Sequence, residues 1–264
     1  MLSGAYRAVL IDLDGTVHAR GQLLPQAVEA IGELRAQGLR LRFLTNTDSK
    51  PPAAILADLA GIGLDIDAAE LFTPVAAARL VLAASDASAL LVVSDAVRPV
   101  LADFTSDRPP THVVVGDCRD VLDYPLLDCA FRALRAGAEL IALQRGRYFK
   151  RADGDHLDTG AVVAALEYAT RTRARLVGKP SPSFFDLAVR SVGCLPELCV
   201  VVGDDAATDI AGGRAIGART VQVRTGKYAD QRAESGLPQP DDVIDGIADL
   251  PALLAATSRP GEMG

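Results

Sequence analysis

Hydrophobic and polar positions alternate along this chain of 264 residues in two ways. Short continuous apolar runs that stop abruptly at polar residues read as buried parallel strands. Longer stretches with apolar positions three and four apart read as helices. The first run, residues 8–13, stops in Asp12-Leu13-Asp14-Gly15-Thr16. Beyond Leu24-Pro25, a stripe of Ala27, Val28, Ile31 and Leu34 predicts a helix that Gly38 closes. Residues 39–44 form the next strand, ending in Thr45-Asn46-Thr47. Strand, helix and strand in this order imply a right-handed crossover and a parallel pair. A helix is expected from Pro51 to about Leu59. Another begins at Thr73-Pro74, a hydroxyl N-cap followed by proline at the first helical position.

Near Ala84-Ser85-Asp86 a second α/β series begins. Its expected strands are 89–93, 112–115 and 139–143, and its helices 97–104, 125–135 and 159–170. A polar Arg/Gly/Tyr stretch spans 145–155, and the Arg-rich 171–175 reads as a junction. Then come Gly178-Lys179-Pro180, a helix at 184–192 and an apolar run, 198–202, that stops at Gly203-Asp204-Asp205. An Ala/Gly-rich helix follows with Asp209 in its first turns. Strands at 219–223 and 243–244 and a helix at 247–255 complete the pattern, and 258–264 is expected to fray. The fold class is α/β with parallel sheets.

Composition narrows the function. Hydrophobic residues make up 49% of the chain, enough for a full core, and the formal charge of −7 argues against non-specific nucleic-acid binding. Cys118, Cys129, Cys194 and Cys199 form no C-x-x-C pair, and only His18, His112 and His156 could join them, which argues against zinc. No signal-peptide pattern or membrane-length apolar run is present, so a cytoplasmic protein is expected.

Candidate chemistry lies at the ends of the apolar runs. Asp12 and Asp14 share the carboxyl end of the first strand, the edge where open α/β sheets bind ligands. Paired acids there are unfavourable unless a cation or shared proton compensates. Taken singly, D-x-D-G-T, Thr45-Asn46, Lys179 and Gly203-Asp204-Asp205 are ordinary turns or a solvated charge. In combination they supply carboxylates, an ammonium and a hydroxyl/amide pair in an order that gathers them at one sheet edge. Clustered carboxylates suit an oxygen-preferring cation, Mg²⁺ above all. A carboxylate can attack phosphorus, and a second acid two residues on can handle the protons.

These segments resemble the four motifs of the haloacid dehalogenase (HAD) superfamily, whose first signature is D-x-D-G-T. The resemblance covers essentially the whole chain. It implies a Rossmann-like HAD core at 1–84 plus 176–264 and an inserted C2-type cap at 85–175, as in the NagD-like branch. Within the cap, residues 142–149 and 166–169 resemble the subgroup of phospholysine phosphohistidine inorganic pyrophosphate phosphatase and its HAD-domain-containing-2 relatives.

The resemblance implies the following roles. Asp12 is the nucleophile and a Mg²⁺ ligand. Asp14 is the general acid/base and binds Mg²⁺ through its carbonyl. Thr45 and Asn46 contact the phosphoryl group. Lys179 bridges nucleophile and phosphate, Asp204 is a Mg²⁺ ligand, and Asp205 and Asp209 lie around these ligands. In the cap, Gln144 and Arg145 fall where relatives contact substrate. Arg145 and Arg147 could pair with a second phosphate or a carboxylate, or form a solvated basic turn.

The expected activity is Mg²⁺-dependent hydrolysis of a small phosphorylated substrate: pyrophosphate, a phosphoramidate or a phosphomonoester. A phosphotransferase or phosphomutase and a non-catalytic phospholigand binder are the alternatives. No nucleic-acid or membrane partner is expected, and family analogy points to a homodimer through the cap.

Overall fold

The computed structural model describes residues 6–151 and 153–257. The frayed end expected at 258–264 lies outside them. The chain forms two compact units, one of residues 1–45, 56–72 and 185–264, the other of 46–55 and 73–184. This grouping differs from the sequence division at 46–55, 73–84 and 176–184. The helix Pro74–Ala83, for example, packs with its second-unit neighbours through Arg79, whose guanidinium lies over the Phe104 ring and donates to the Val100 carbonyl.

The first unit is built on a six-stranded sheet. Its strand order is Asp242–Ile244, Arg219–Val223, Cys199–Gly203, Ala8–Asp12, Arg40–Leu44, Leu71–Phe72, and every pairing is parallel. Ala8–Asp12 is paired on both edges and buried along its whole length, so side chains on both of its faces are covered, which is why its sequence is continuously apolar and not alternating. The order runs outward one way through Arg40–Leu44 and Leu71–Phe72, then resumes on the other side with Cys199–Gly203. The topological switch point therefore lies between Ala8–Asp12 and Cys199–Gly203, where open α/β sheets bind ligands. Register sets the height of each strand end. Ile11 pairs with Val202 and Asp12 with Leu44, so Asp12, Thr45 and Asp204 leave the sheet at the same edge.

The helix Ala27–Ala36 buries Ala27, Ala30, Ile31 and Leu34. Val28, included in the expected stripe, is 44% exposed, since it lies about 100° round the helix from Ala27, at the margin of the buried face. A two-stranded hairpin, His18–Ala19 with Gln22–Leu23, follows the D-x-D-G-T segment.

The second unit has a parallel four-stranded sheet in the order Arg175–Leu176, Glu139–Ala142, His112–Val115, Ala89–Val92. Helices Tyr124–Arg135 and Thr159–Thr170 pack with it around Val113, Val115, Leu134, Leu140, Val163 and Leu166. The polar stretch, to which the sequence assigned no element, holds most of a hairpin, Tyr148–Arg151 with Gly154–Leu157, and the expected junction runs into the edge strand Arg175–Leu176. No described helix is long and apolar enough to cross a membrane.

Candidate active site

Asp12 is the last residue of its strand and is buried. The turn that follows brings the fully buried Thr16 hydroxyl back to donate to Asp12 Oδ2 at 3.0 Å, which fixes the rotation of the carboxylate. Asp204 directly follows Cys199–Gly203 on the other side of the switch point. Asp209 comes from a π-helical turn, Ala206–Ile210, and is fully buried. Such widened turns are rare and recur at functional sites. This one lets Asp209 fold back, so that its Oδ2 accepts from Asp205 N–H at 3.3 Å. Gly203 leaves the space, because a Cβ there would overlap the Asp209 carboxylate.

The structure thus brings Asp12, Asp204 and Asp209 together, with a carboxylate oxygen of each within 4.8 Å of the others and all three residues buried. Buried carboxylates at this separation repel one another and have lost their hydration, so the arrangement calls for a cation. An all-oxygen anionic donor set of this kind fits a hard divalent ion such as Mg²⁺. Asp209, expected outside the ligand set, is a full member of the cluster. Asp14 lies outside it. Its side chain is 70% exposed and reaches only to within 3.7 Å of His18 Nδ1.

Asp205 points elsewhere. Its carboxylate accepts from Lys227 Nζ at 2.7 Å, Gln231 Nε2 at 2.8 Å and Ala207 N–H at 2.9 Å. Burial pushes its pKa up, but the hydrogen bonds from Lys227 and Gln231 outweigh this and hold it below the ordinary carboxylate value. Burial likewise works against the Lys227 ammonium. Its bond to Asp205 and the charges of Asp205, Asp204 and Asp209 prevail and raise its pKa. The Lys227 backbone N–H donates to Asp204 Oδ2 at 2.7 Å.

Sequence reasoning passed over Lys227 and the Thr225-Gly226 before it. The signal was present, since Thr225-Gly226-Lys227 follows a buried strand just as the other motifs do.

Thr45 is buried at the end of Arg40–Leu44, where its N–H meets the Phe72 carbonyl at 3.4 Å. In the second unit Asn46 and Lys179 are joined. Asn46 Oδ1 accepts from Lys179 N–H at 2.8 Å, and Asn46 Nδ2 donates to the Lys179 carbonyl at 3.1 Å. The amide thereby fixes the backbone of a buried lysine. Gln144 donates to Asp158 Oδ1 at 2.6 Å. Arg145 forks onto Glu167, with its terminal nitrogens 2.8 and 2.7 Å from the two carboxylate oxygens. Glu167 is buried and also accepts from Ala174 N–H, and the hydrogen bond from Arg145 is the main cause of its lowered pKa. Both residues expected to contact substrate in the cap thus have partners within their own unit.

The chain and its fold are similar to those of known proteins. The model of the haloacid dehalogenase-like hydrolase family matches residues 9–105, and the HAD-hydrolase-like model matches 176–250. The chain is 42% identical over 225 residues to haloacid dehalogenase-like hydrolase domain-containing protein 2 of Bos taurus, covering 85% of this chain and 86% of the relative. It is 33% identical over 254 residues to the phospholysine phosphohistidine inorganic pyrophosphate phosphatase of Homo sapiens, covering 94% of each. The p-nitrophenyl phosphatase from Archaeoglobus fulgidus superposes with a TM-score of 0.86 at 27% identity, over 95% of this chain and all of that one. The chain belongs to the haloacid dehalogenase-like hydrolases.

Proposed function

We propose that this enzyme is a Mg²⁺-dependent phosphohydrolase that cleaves a small phosphorylated substrate through an aspartyl-phosphate on Asp12. The observation that carries the reading is the buried trio of Asp12, Asp204 and Asp209 at the switch point of the parallel sheet. Asp12, Asp204 and Asp209, with the Asp14 carbonyl, would hold the cation. When bound, Mg²⁺ supplies the positive charge that lets an anionic carboxylate meet an anionic phosphoryl group.

The chain's own groups account for the remaining chemistry. An Asp12 carboxylate oxygen bonds to phosphorus as the bond from phosphorus to the leaving atom breaks. Thr16 holds the carboxylate for this attack. Asp14, exposed on the following turn, gives its proton to the leaving atom. It then takes a proton from the water that attacks the phosphoenzyme, which breaks the Asp12–phosphorus bond and releases phosphate. Lys179 offsets charge on the phosphoryl oxygens. Thr45 and the Asn46 backbone contact those oxygens, while the Asn46 side chain serves to hold Lys179. The reading keeps residues 1–84 plus 176–264 as catalytic core and 85–175 as a C2-type cap.

The substrate is pyrophosphate, a phosphoramidate or a small phosphomonoester. The name of the human relative supports the first two and that of the archaeal phosphatase the third. The test is phosphate release from pyrophosphate, phospholysine, phosphohistidine and p-nitrophenyl phosphate, each with Mg²⁺ and with EDTA. Release from at least one is expected, dependent on Mg²⁺ and abolished by Asp12→Asn. Turnover near the parent rate in Asp12→Asn would sink the covalent mechanism.

A further inference from the structure

We propose that the loop Thr225-Gly226-Lys227 is a positioning element of the cation site, holding Asp204 on one side and the Asp14-Gly15 backbone on the other. The inference rests on the reading above, in which Asp204 and the Asp14 carbonyl are ligands.

Four observations within one unit meet at this loop. Thr225 Oγ1 donates to the Gly15 carbonyl at 2.5 Å, across 210 residues of sequence. The Lys227 N–H donates to Asp204 Oδ2 at 2.7 Å. Gly15 and Gly226 both approach the Asp204 carboxylate so closely that a Cβ on either would overlap it, and both have positive φ, +91° and +56°. The Lys227 ammonium engages Asp205 at 2.7 Å, so the neighbouring acid has a partner of its own and does not compete for the position of Asp204.

The side-chain carboxylate of Asp204 therefore lies between two glycines, with one oxygen held by a backbone N–H. The turn carrying Asp14 is tied to the same loop through a hydroxyl. Strand Arg219–Val223 sits beside Cys199–Gly203 in the sheet, so its C-terminal loop is the element in reach of both groups. A cation site gains affinity when its ligands need not be ordered on binding. The loop supplies that order before the ion arrives. Thr225, Gly226 and Lys227 act through Asp204 and Gly15 and are positioning residues.

The test is Mg²⁺ binding by titration calorimetry on protein stripped with EDTA, alongside thermal unfolding in EDTA. Thr225→Val keeps the shape and removes the donor. It should weaken Mg²⁺ binding by about tenfold, the scale of one good hydrogen bond. Thr225→Ser should restore it. With assay Mg²⁺ varied, the concentration for half-maximal activity should rise in Thr225→Val, while KM for substrate at saturating Mg²⁺ stays at the parent value. Gly226→Ala tests the other side independently, since its methyl would displace Asp204, and should weaken Mg²⁺ binding by more. Unfolding in EDTA reports whether each variant is folded, and either variant alone suffices. Parent-like Mg²⁺ binding in folded Thr225→Val or Gly226→Ala would overturn the loop's role and leave the phosphohydrolase reading standing. A parent protein that does not bind Mg²⁺ would overturn both.

Discussion

Asp48 shows how much a single buried acid can do outside the site. It accepts from the Thr159 hydroxyl at 2.7 Å, deep in the second unit. Burial pushes its pKa from 3.8 up to about 6, the Thr159 bond opposes this, and the charges of Asp158 and Asp117 add to the rise. The sign follows from linkage. A folded-state pKa above the unfolded value favours the protonated, folded form, so this contribution is full below pH ~4 and lost as pH rises through ~6. Asp48→Asn keeps an acceptor for Thr159 and removes the charge. It should match the parent at pH 4 and exceed it at pH 7 by up to about 3 kcal/mol. Urea unfolding at the two pH values measures this, and an equal difference at both would exclude the account. That Asp12 and Asp204 meet at one sheet edge was legible in the sequence, because each stands where an apolar run stops. The pairing of Arg145 with Glu167 was not, since the partners lie 22 residues apart and only the fold joins them.

At the scale of elements, local signals predicted well wherever a helix carries its own cap. Thr73 is the clearest case. Its side chain accepts from Ala76 N–H at 3.1 Å, Pro74 takes the first helical position, and the helix runs Pro74–Ala83 as the sequence implied. Thr73 is fully buried, so no water replaces the lost bond. Thr73→Ala should cost about 1–2 kcal/mol of stability, read as a lower denaturation midpoint with the m-value unchanged. An unchanged midpoint would show that proline and packing suffice. The elements that escaped prediction are too short or too exposed to show periodicity. Leu71–Phe72 and Arg175–Leu176 span two residues each. The hairpin Tyr148–Arg151 with Gly154–Leu157 is held together in part by Phe149, stacked on His156 and covered by Arg119, a pattern that alternation of polarity does not reveal. The Ala/Gly-rich stretch after Asp205 reads as an ordinary helix, and hydrophobic spacing does not reveal the π-helical turn at Ala206–Ile210 that carries Asp209 into the cluster.

For the whole molecule, the order of the strands decides what the acids become. Parallel register places Asp12 and Asp204 at one edge, and the π-helical turn adds Asp209, so folding itself concentrates negative charge in a chain already at −7. That repulsion is a cost to the fold, and the divalent cation proposed for this site would offset it. Because the cluster forms only in the folded state, binding adds to stability by mass action, about 2.7 kcal/mol at a cation concentration one hundred times Kd. The cluster belongs wholly to the unit of residues 1–45, 56–72 and 185–264, so any separate transition of the other unit should not move with Mg²⁺. Asp209→Asn separates the two effects. Asn keeps an acceptor for the Asp205 N–H and lowers the charge by one. In EDTA its unfolding midpoint should equal or exceed that of the parent, because a buried repulsion has been relieved. Raising Mg²⁺ should then lift the parent well above the variant, so that the two midpoints cross. Scanning calorimetry across a Mg²⁺ series reads both. A variant less stable than the parent in EDTA, yet with the same Mg²⁺ dependence, would mean that Asp209 is a structural hydrogen-bond acceptor and that the cation is held without it.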